Sequence, residues 1–203
     1  MTDRYQIDQP FGLVLAGGRS SRMGGGDKVL LPIGDATLLD QVISRISQQV
    51  QGLALSANGD PARFMRFGLP VLPDLRADHP GPLAGLAAGL RWLAAKGGTW
   101  LLMVAGDTPF VPVDLVPRLL DGALSAQCPV ALAEDAAGLH PTAGLWHVSV
   151  APLIEERLAR GQLKLADAGQ AAGLVRVRFS GDGAFFNINT PDDLAEARRR
   201  ATL

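Results

Sequence analysis

The 203 residues are 47% hydrophobic and 19% charged, which excludes a disordered chain and suits one folded α/β domain across residues 1–203. A formal net charge of -1 argues against partners that need a sustained basic face, so neither nucleic acid nor an anionic membrane is expected. Cys128 is the only cysteine, which excludes a disulfide framework and a thiolate metal site.

In chain order, Asp3, Arg4 and Asp8 stand where a signal peptide would carry its apolar core, and no apolar run reaches about 18 residues. A soluble, cytoplasmic protein is expected. Phe11–Ala16 then reads as a buried strand running into Gly17-Gly18-Arg19-Ser20-Ser21-Arg22-Met23-Gly24-Gly25-Gly26-Asp27-Lys28. Glycines let backbone amides approach an anion, and Lys28 suits a point-charge phosphate ligand. Composition alone would allow a solvated Gly/Ser-rich loop, but its place at a strand end favours a phosphate cradle. It is not a P-loop, because Asp27 precedes the lysine and Val29 follows it, and Gly-x-Gly-x-x-Gly is absent.

Leu38, Leu39, Val42, Ile43, Ile46 and Val50 share a helical face, and Thr37 with Asp40 predicts a capping box. Leu53–Ala57 and Val71–Leu72 read as strands. Leu83, Leu86, Ala87, Leu90 and Leu93 form a second helical stripe, stopped at Gly97-Gly98. Trp100–Ala105 and Val130–Ala133 are strands apolar on both faces, the pattern of a parallel sheet. Gly144–His147, Val175–Phe179 and Ala184–Ile188 are expected as later strands of mixed direction. Helices are expected at 150–160, at about 164–172, and after Thr190-Pro191 with Asp193 closing a second box. Arg198-Arg199-Arg200 then complements that helix's dipole. The expected architecture is an α/β three-layer, Rossmann-like fold with a mostly parallel, mixed sheet.

Ligands of such sheets bind beyond the carboxyl ends of the strands. Five polar groups fall on that edge: the glycine loop, Ser56-Ala57-Asn58-Gly59, Asp74, Gly106-Asp107-Thr108-Pro109 and Asn187-Ile188-Asn189-Thr190-Pro191. Asp107 is the leading candidate for a magnesium ligand, since one carboxylate beside bound phosphates suffices for that ion. Its structural alternative is an N-cap of the next helix. Asp74 reads either as a ribose anchor or as a plain loop carboxylate. Pro80-Gly81-Pro82-Leu83-Ala84-Gly85 gives a rigid helix start with room for a planar group, or simply a rigid start. His79, His140 and His147 lack metal-ligand spacing, although His140-Pro141-Thr142 could line a pocket. With no Ser/His/Asp arrangement, positioning and charge neutralisation remain, and nucleotidyl or phosphoryl transfer leads.

Leu15-Ala16-Gly17-Gly18, Arg22-Met23-Gly24-Gly25 and Asp27-Lys28 together resemble the signature of the molybdenum cofactor guanylyltransferases (the MobA family), members of the nucleotidyltransferase superfamily. The likeness continues through Pro80–Gly85, Asp107-Thr108-Pro109, His140-Pro141-Thr142 and Asn187–Pro191. The resemblance implies transfer of GMP from GTP to the terminal phosphate of molybdenum-bearing molybdopterin, with release of pyrophosphate. It implies that Leu15, Ala16, Gly17 and Gly18 meet the nucleotide through their backbone, that Lys28 neutralises triphosphate charge, and that Asp74 binds the nucleoside. It also implies that Asp107 holds Mg²⁺, or Mn²⁺, and that Lys28, Asp107 and Arg22 form the catalytic set. Arg22, Gly81, Gly85, Asn187 and Asn189 match positions for the pterin substrate. Transient contact with cofactor-insertion proteins or molybdoenzymes is implied as well.

Two departures stand out. Gly106 occupies a place where family members often carry cysteine, and Ser56 stands where some have a nucleotide-binding asparagine, for which Asn58 is close enough to substitute. Three other readings compete: a cytidylyltransferase for the same cofactor, which tends to open Leu-Ala-Ala-Gly, a sugar-phosphate nucleotidyltransferase, and a non-catalytic nucleotide-binding module.

Overall fold

The computed structural model describes residues 9–17, 27–75, 81–181 and 183–201. Strand β1 (Phe11–Leu15) leads to a small hairpin, β2 (Pro32–Ile33) and β3 (Ala36–Thr37), and then to helix α1 (Leu38–Ile46). Strands β4 (Gly52–Ser56) and β5 (Val71–Leu72) precede α2 (Pro82–Ala95), β6 (Trp100–Ala105) and α3 (Leu115–Ala126). Then come β7 (Val130–Asp135), β8 (Gly138–His147), α4 (Ala151–Ala159), α5 (Leu165–Ala172), β9 (Leu174–Arg178) and α6 (Pro191–Ala201).

Seven strands form one sheet in the order β5-β4-β1-β6-β8-β7-β9. Only β8 runs against its neighbours, so the sheet is parallel but for that strand. Alternation along β6 explains the three layers. Trp100, Leu102 and Val104 face α1 and α3, whereas Leu101 and Met103 face α2, α4 and α5. Every residue of β6 is buried, as a central strand covered on both sides requires. Helix α2 lies close on the sheet because Gly85 and Gly89, one turn apart, replace side chains on its inner face. A Cβ on Gly89 would stand 2.6 Å from Leu13.

Helix α1 starts as the sequence predicts. Asp40 donates its amide to Thr37 Oγ1, and the Thr37 amide donates to Asp40 Oδ2. Burial works against the Asp40 charge, yet the Thr37 bonds and Arg66 outweigh it and hold its pKa below the ordinary value.

One helix goes unread and one expectation fails. Helix α3 is not anticipated, because Pro117 and Gly122 weaken its pattern. Pro117 falls in the first turn, where the missing N–H costs nothing. Gly122 is where the helix meets β9, and a Cβ there would stand 2.5 Å from Val177. Residues 184–188 are not a strand. Their donors go elsewhere, Phe186 N–H to the Gly183 carbonyl and Ile188 N–H to the Asp107 carbonyl, so the segment crosses the strand ends. Among the described residues, no helix is long and apolar enough to cross a membrane.

Candidate active site

Register brings the predicted residues together. Leu15 pairs with Ser56 on one side and with Ala105 on the other, so β1, β4 and β6 end at the same level. Asp107 is therefore presented beside the glycine-loop strand. A turn holds it there, with Gly106 N–H donating to the Leu15 carbonyl and Thr108 Oγ1 to the Ala105 carbonyl. Asp107 is not an N-cap, since the next helix begins at Leu115 behind Asp114.

Lys28 Nζ forms an ion pair with Asp107 Oδ2 and donates to Asn189 Oδ1 at 2.7 Å. Both members of the ion pair are largely buried, 15% and 16% exposed. Residues 161 apart in sequence meet here because α6 packs on the hairpin that follows Lys28. Ile33 and Leu38 bury themselves against Ile188, Leu194 and Ala197, and Arg198 Nε donates to the Pro32 carbonyl. The second capping box is present too. Asp193 Oδ2 accepts the Asn189 and Thr190 amides, and Thr190 Oγ1 accepts the Asp193 amide. The Asn189 amide bond, the Thr190 bonds and the charge of Lys28 keep the Asp193 pKa below its ordinary value, against the opposing effect of burial.

Beside this junction lies a cleft of about 640 Å³, bounded by Leu15, Gly17, Ser56, Asn58, Asp74 and Gly81 among others. Its size suits a mononucleotide. Gly81 heads α2 at φ 152°, a conformation that favours glycine, with open space where a Cβ would point.

The structure assigns several residues roles other than those expected. The amides of Ala16 and Gly17 both donate to the Ser56 carbonyl at 2.9 Å, so they are not available as phosphate donors. Gly85 is a packing residue, because a Cβ would stand 2.6 Å from Ser56 Oγ and 3.0 Å from Leu15. Asn58 is not free to read a base. Its amide nitrogen donates to Asp74 Oδ2 at 2.7 Å, and its oxygen accepts the Asp74 amide at 2.8 Å. Asn58 therefore orients Asp74 across the β4–β5 connection. Gly18, Arg22 and His79 lie outside the described residues.

One residue escapes the sequence reading. Arg63, on the short helix Pro61–Phe67, donates to the Asn58 carbonyl and pairs through Nε with Asp27 at 3.0 Å. It links the Asp74 end of the cleft to the residue preceding Lys28. The signal was available, since Asp60-Pro61 is a helix start directly after the Asn58-Gly59 turn. As one brace, the pair gives Arg63→Ala and Asp27→Ala each about a tenfold loss of nucleotide binding in calorimetric titration, and the double variant no further loss. Additive losses would exclude the brace.

A divalent ion fits the residues present. Asp107 Oδ1 is buried and has no hydrogen-bond partner among the described residues, although Oδ2 is paired. No group of three acidic, histidine or cysteine side chains gathers among those residues. A single carboxylate whose ion completes its shell from phosphates and water is the arrangement magnesium accepts.

Comparison with known proteins finds relatives along nearly the whole chain. A molybdenum cofactor guanylyltransferase from Mesorhizobium japonicum is 47% identical over 195 residues, covering 93% of this chain and 94% of the relative. A protein of the same name from Cereibacter sphaeroides is 48% identical over 188 residues, covering 92% and 94%. The crystal structure of molybdopterin-guanine dinucleotide biosynthesis protein A from Archaeoglobus fulgidus has the same fold, with a TM-score of 0.77 at 23% identity over 95% of this chain and 98% of that one. The family model for the MobA-like NTP transferase domain matches residues 12–173, which include the cleft, Lys28 and Asp107, and the chain belongs to that family.

Proposed function

We propose that this chain transfers GMP from GTP to the terminal phosphate of molybdenum-bearing molybdopterin, acting as a single nucleotidyltransferase domain. The observation that carries the reading is the contact of Lys28 with Asp107 and Asn189 beside a nucleotide-sized cleft. Relatives nearly half identical along almost the whole chain bear the corresponding name.

An oxygen of the acceptor phosphate attacks the α-phosphorus of GTP. The bond from that phosphorus to the α–β bridging oxygen breaks, and pyrophosphate leaves with the electron pair. No general base is required, since the attacking oxygen is already ionised. The protein must therefore overcome repulsion between two polyanions and align them. Asp74, oriented by Asn58, binds the nucleoside at one end of the cleft. Lys28 neutralises triphosphate charge when GTP enters. Asn189, held beside Lys28, serves the acceptor together with Asn187, Gly81 and Arg22. Asp107 would hold Mg²⁺ or Mn²⁺, which supplies further positive charge to the triphosphate. The lone thiol fits a reducing, cytoplasmic setting.

The test is pyrophosphate release from the purified protein with magnesium, molybdopterin acceptor and either GTP or CTP. Turnover is expected with GTP, and only a trace with CTP. Preference for CTP would reassign the base, and turnover with a simple sugar phosphate in place of the pterin would reassign the acceptor. Binding of GTP with no product from any acceptor would leave a nucleotide-binding module.

A further inference from the structure

His140 is placed by an irregularity in the sheet. Leu132 pairs with Gly144, but the next residue, Ala133, pairs with His140, so Pro141, Thr142 and Ala143 bulge out of β8. Pro141 has no N–H to donate, which makes it compatible with a bulge. The bulge turns the β7–β8 hairpin tip toward the segment that crosses the strand ends.

There His140 takes part in a continuous ladder of contacts. Its Nε2 is buried and lies 2.8 Å from Asp135 Oδ1, which sets the edge of the imidazole against that carboxylate. The same Asp135 oxygen accepts the Ala137 amide, which fixes the carboxylate at the tip. The His140 ring stacks on Phe185, with centroids 4.5 Å apart and planes 26° apart. Phe179 meets Phe185 edge-on at 5.4 Å, and the Arg118 guanidinium lies 3.9 Å from the centre of the Phe179 ring. Phe185 is 4% exposed. Two residues beyond Phe185 is Asn187. Ile188 N–H then bonds the Asp107 carbonyl at 3.0 Å, and Asn189 receives Lys28.

We propose that His140 is a positioning residue for the transfer reaction. Held by Asp135, its ring is the platform beneath Phe185 that fixes Asn187, Ile188 and Asn189 against Asp107 and Lys28. It touches neither substrate. The inference rests on the proposed function for its kinetic consequence, but its structural consequence is measurable without turnover.

Hydrogen exchange at the Ile188 amide reads the platform directly. His140→Ala speeds that exchange about tenfold, the scale of a lost ring stack, whereas His140→Phe, which keeps a flat ring, leaves it near wild type. Phe185→Leu, which fills the same core space without a flat face, behaves like His140→Ala and serves if that variant does not fold. In turnover, His140→Ala lowers kcat and raises KM for the pterin acceptor about tenfold, leaves KM for GTP within about twofold, and is rescued by His140→Phe. Unchanged Ile188 exchange in both His140→Ala and Phe185→Leu overturns the proposal, whether or not the wild-type protein transfers GMP. Wild-type protein that transfers no GMP, with Ile188 exchange altered as stated, removes the functional reading and leaves the platform standing. Loss of turnover in His140→Phe with Ile188 still protected also overturns the proposal, since His140 would then meet the acceptor itself.

Discussion

Asp107→Asn lowers GMP transfer by about a thousandfold, the scale on which preorganised charge acts at a reacting phosphate. The substitution keeps the side-chain shape, and the turn that presents residue 107 is held by Gly106 and Thr108, not by the carboxylate. Loss of the largely buried pair with Lys28 lowers the thermal midpoint by a few degrees, while the fold and the nucleoside end of the cleft, built on Asn58 and Asp74, remain intact. Steady-state assays with magnesium, paired with thermal melts, measure both effects. The variant also loses its response to added Mn²⁺, because the unpartnered Oδ1 is replaced or neutralised. Turnover at the wild-type rate would end the assignment of Asp107 as the metal ligand.

Lys28→Met weakens GTP binding roughly 10- to 100-fold, as expected for a lost charge-assisted contact to phosphate. Methionine retains most of the aliphatic stem, so the change tests charge more than packing. Because Lys28 also joins Asp107 to Asn189, the variant loosens the acceptor side, and KM for the acceptor rises less steeply than affinity for GTP falls. Calorimetry gives the first quantity and initial rates the second. Unchanged GTP affinity would remove Lys28 from the triphosphate's contacts.

The central strands were legible because residues such as Leu101, Leu102, Met103 and Val104 are apolar without alternation, which only a doubly covered strand explains. The nearness of Asp107 to the end of β1 was legible because parallel strands end on one edge, and Lys28 reaches that edge from the segment that follows β1. The last apolar stretch was misread for a related reason. Ala184, Phe185, Phe186 and Ile188 look like a strand, but their hydrophobicity serves the ring ladder and the α6 hairpin contact, and their amides find partners outside the sheet. Asn58 was misread because its partner, Asp74, is 16 residues away and joined to it only through the pairing of β4 with β5. The amides of Ala16 and Gly17 looked free because nothing local announces that the Ser56 carbonyl will take them both. Sequence pattern reports which side chains seek shelter, but long-range pairing decides which donors are already spent.

The meeting of Lys28 with Asn189 makes the site depend on a distant docking surface. Residues 161 positions apart are joined only while α6 rests on the β2–β3 hairpin, so a change that loosens that apolar seam, far from any phosphate, reaches the reacting groups.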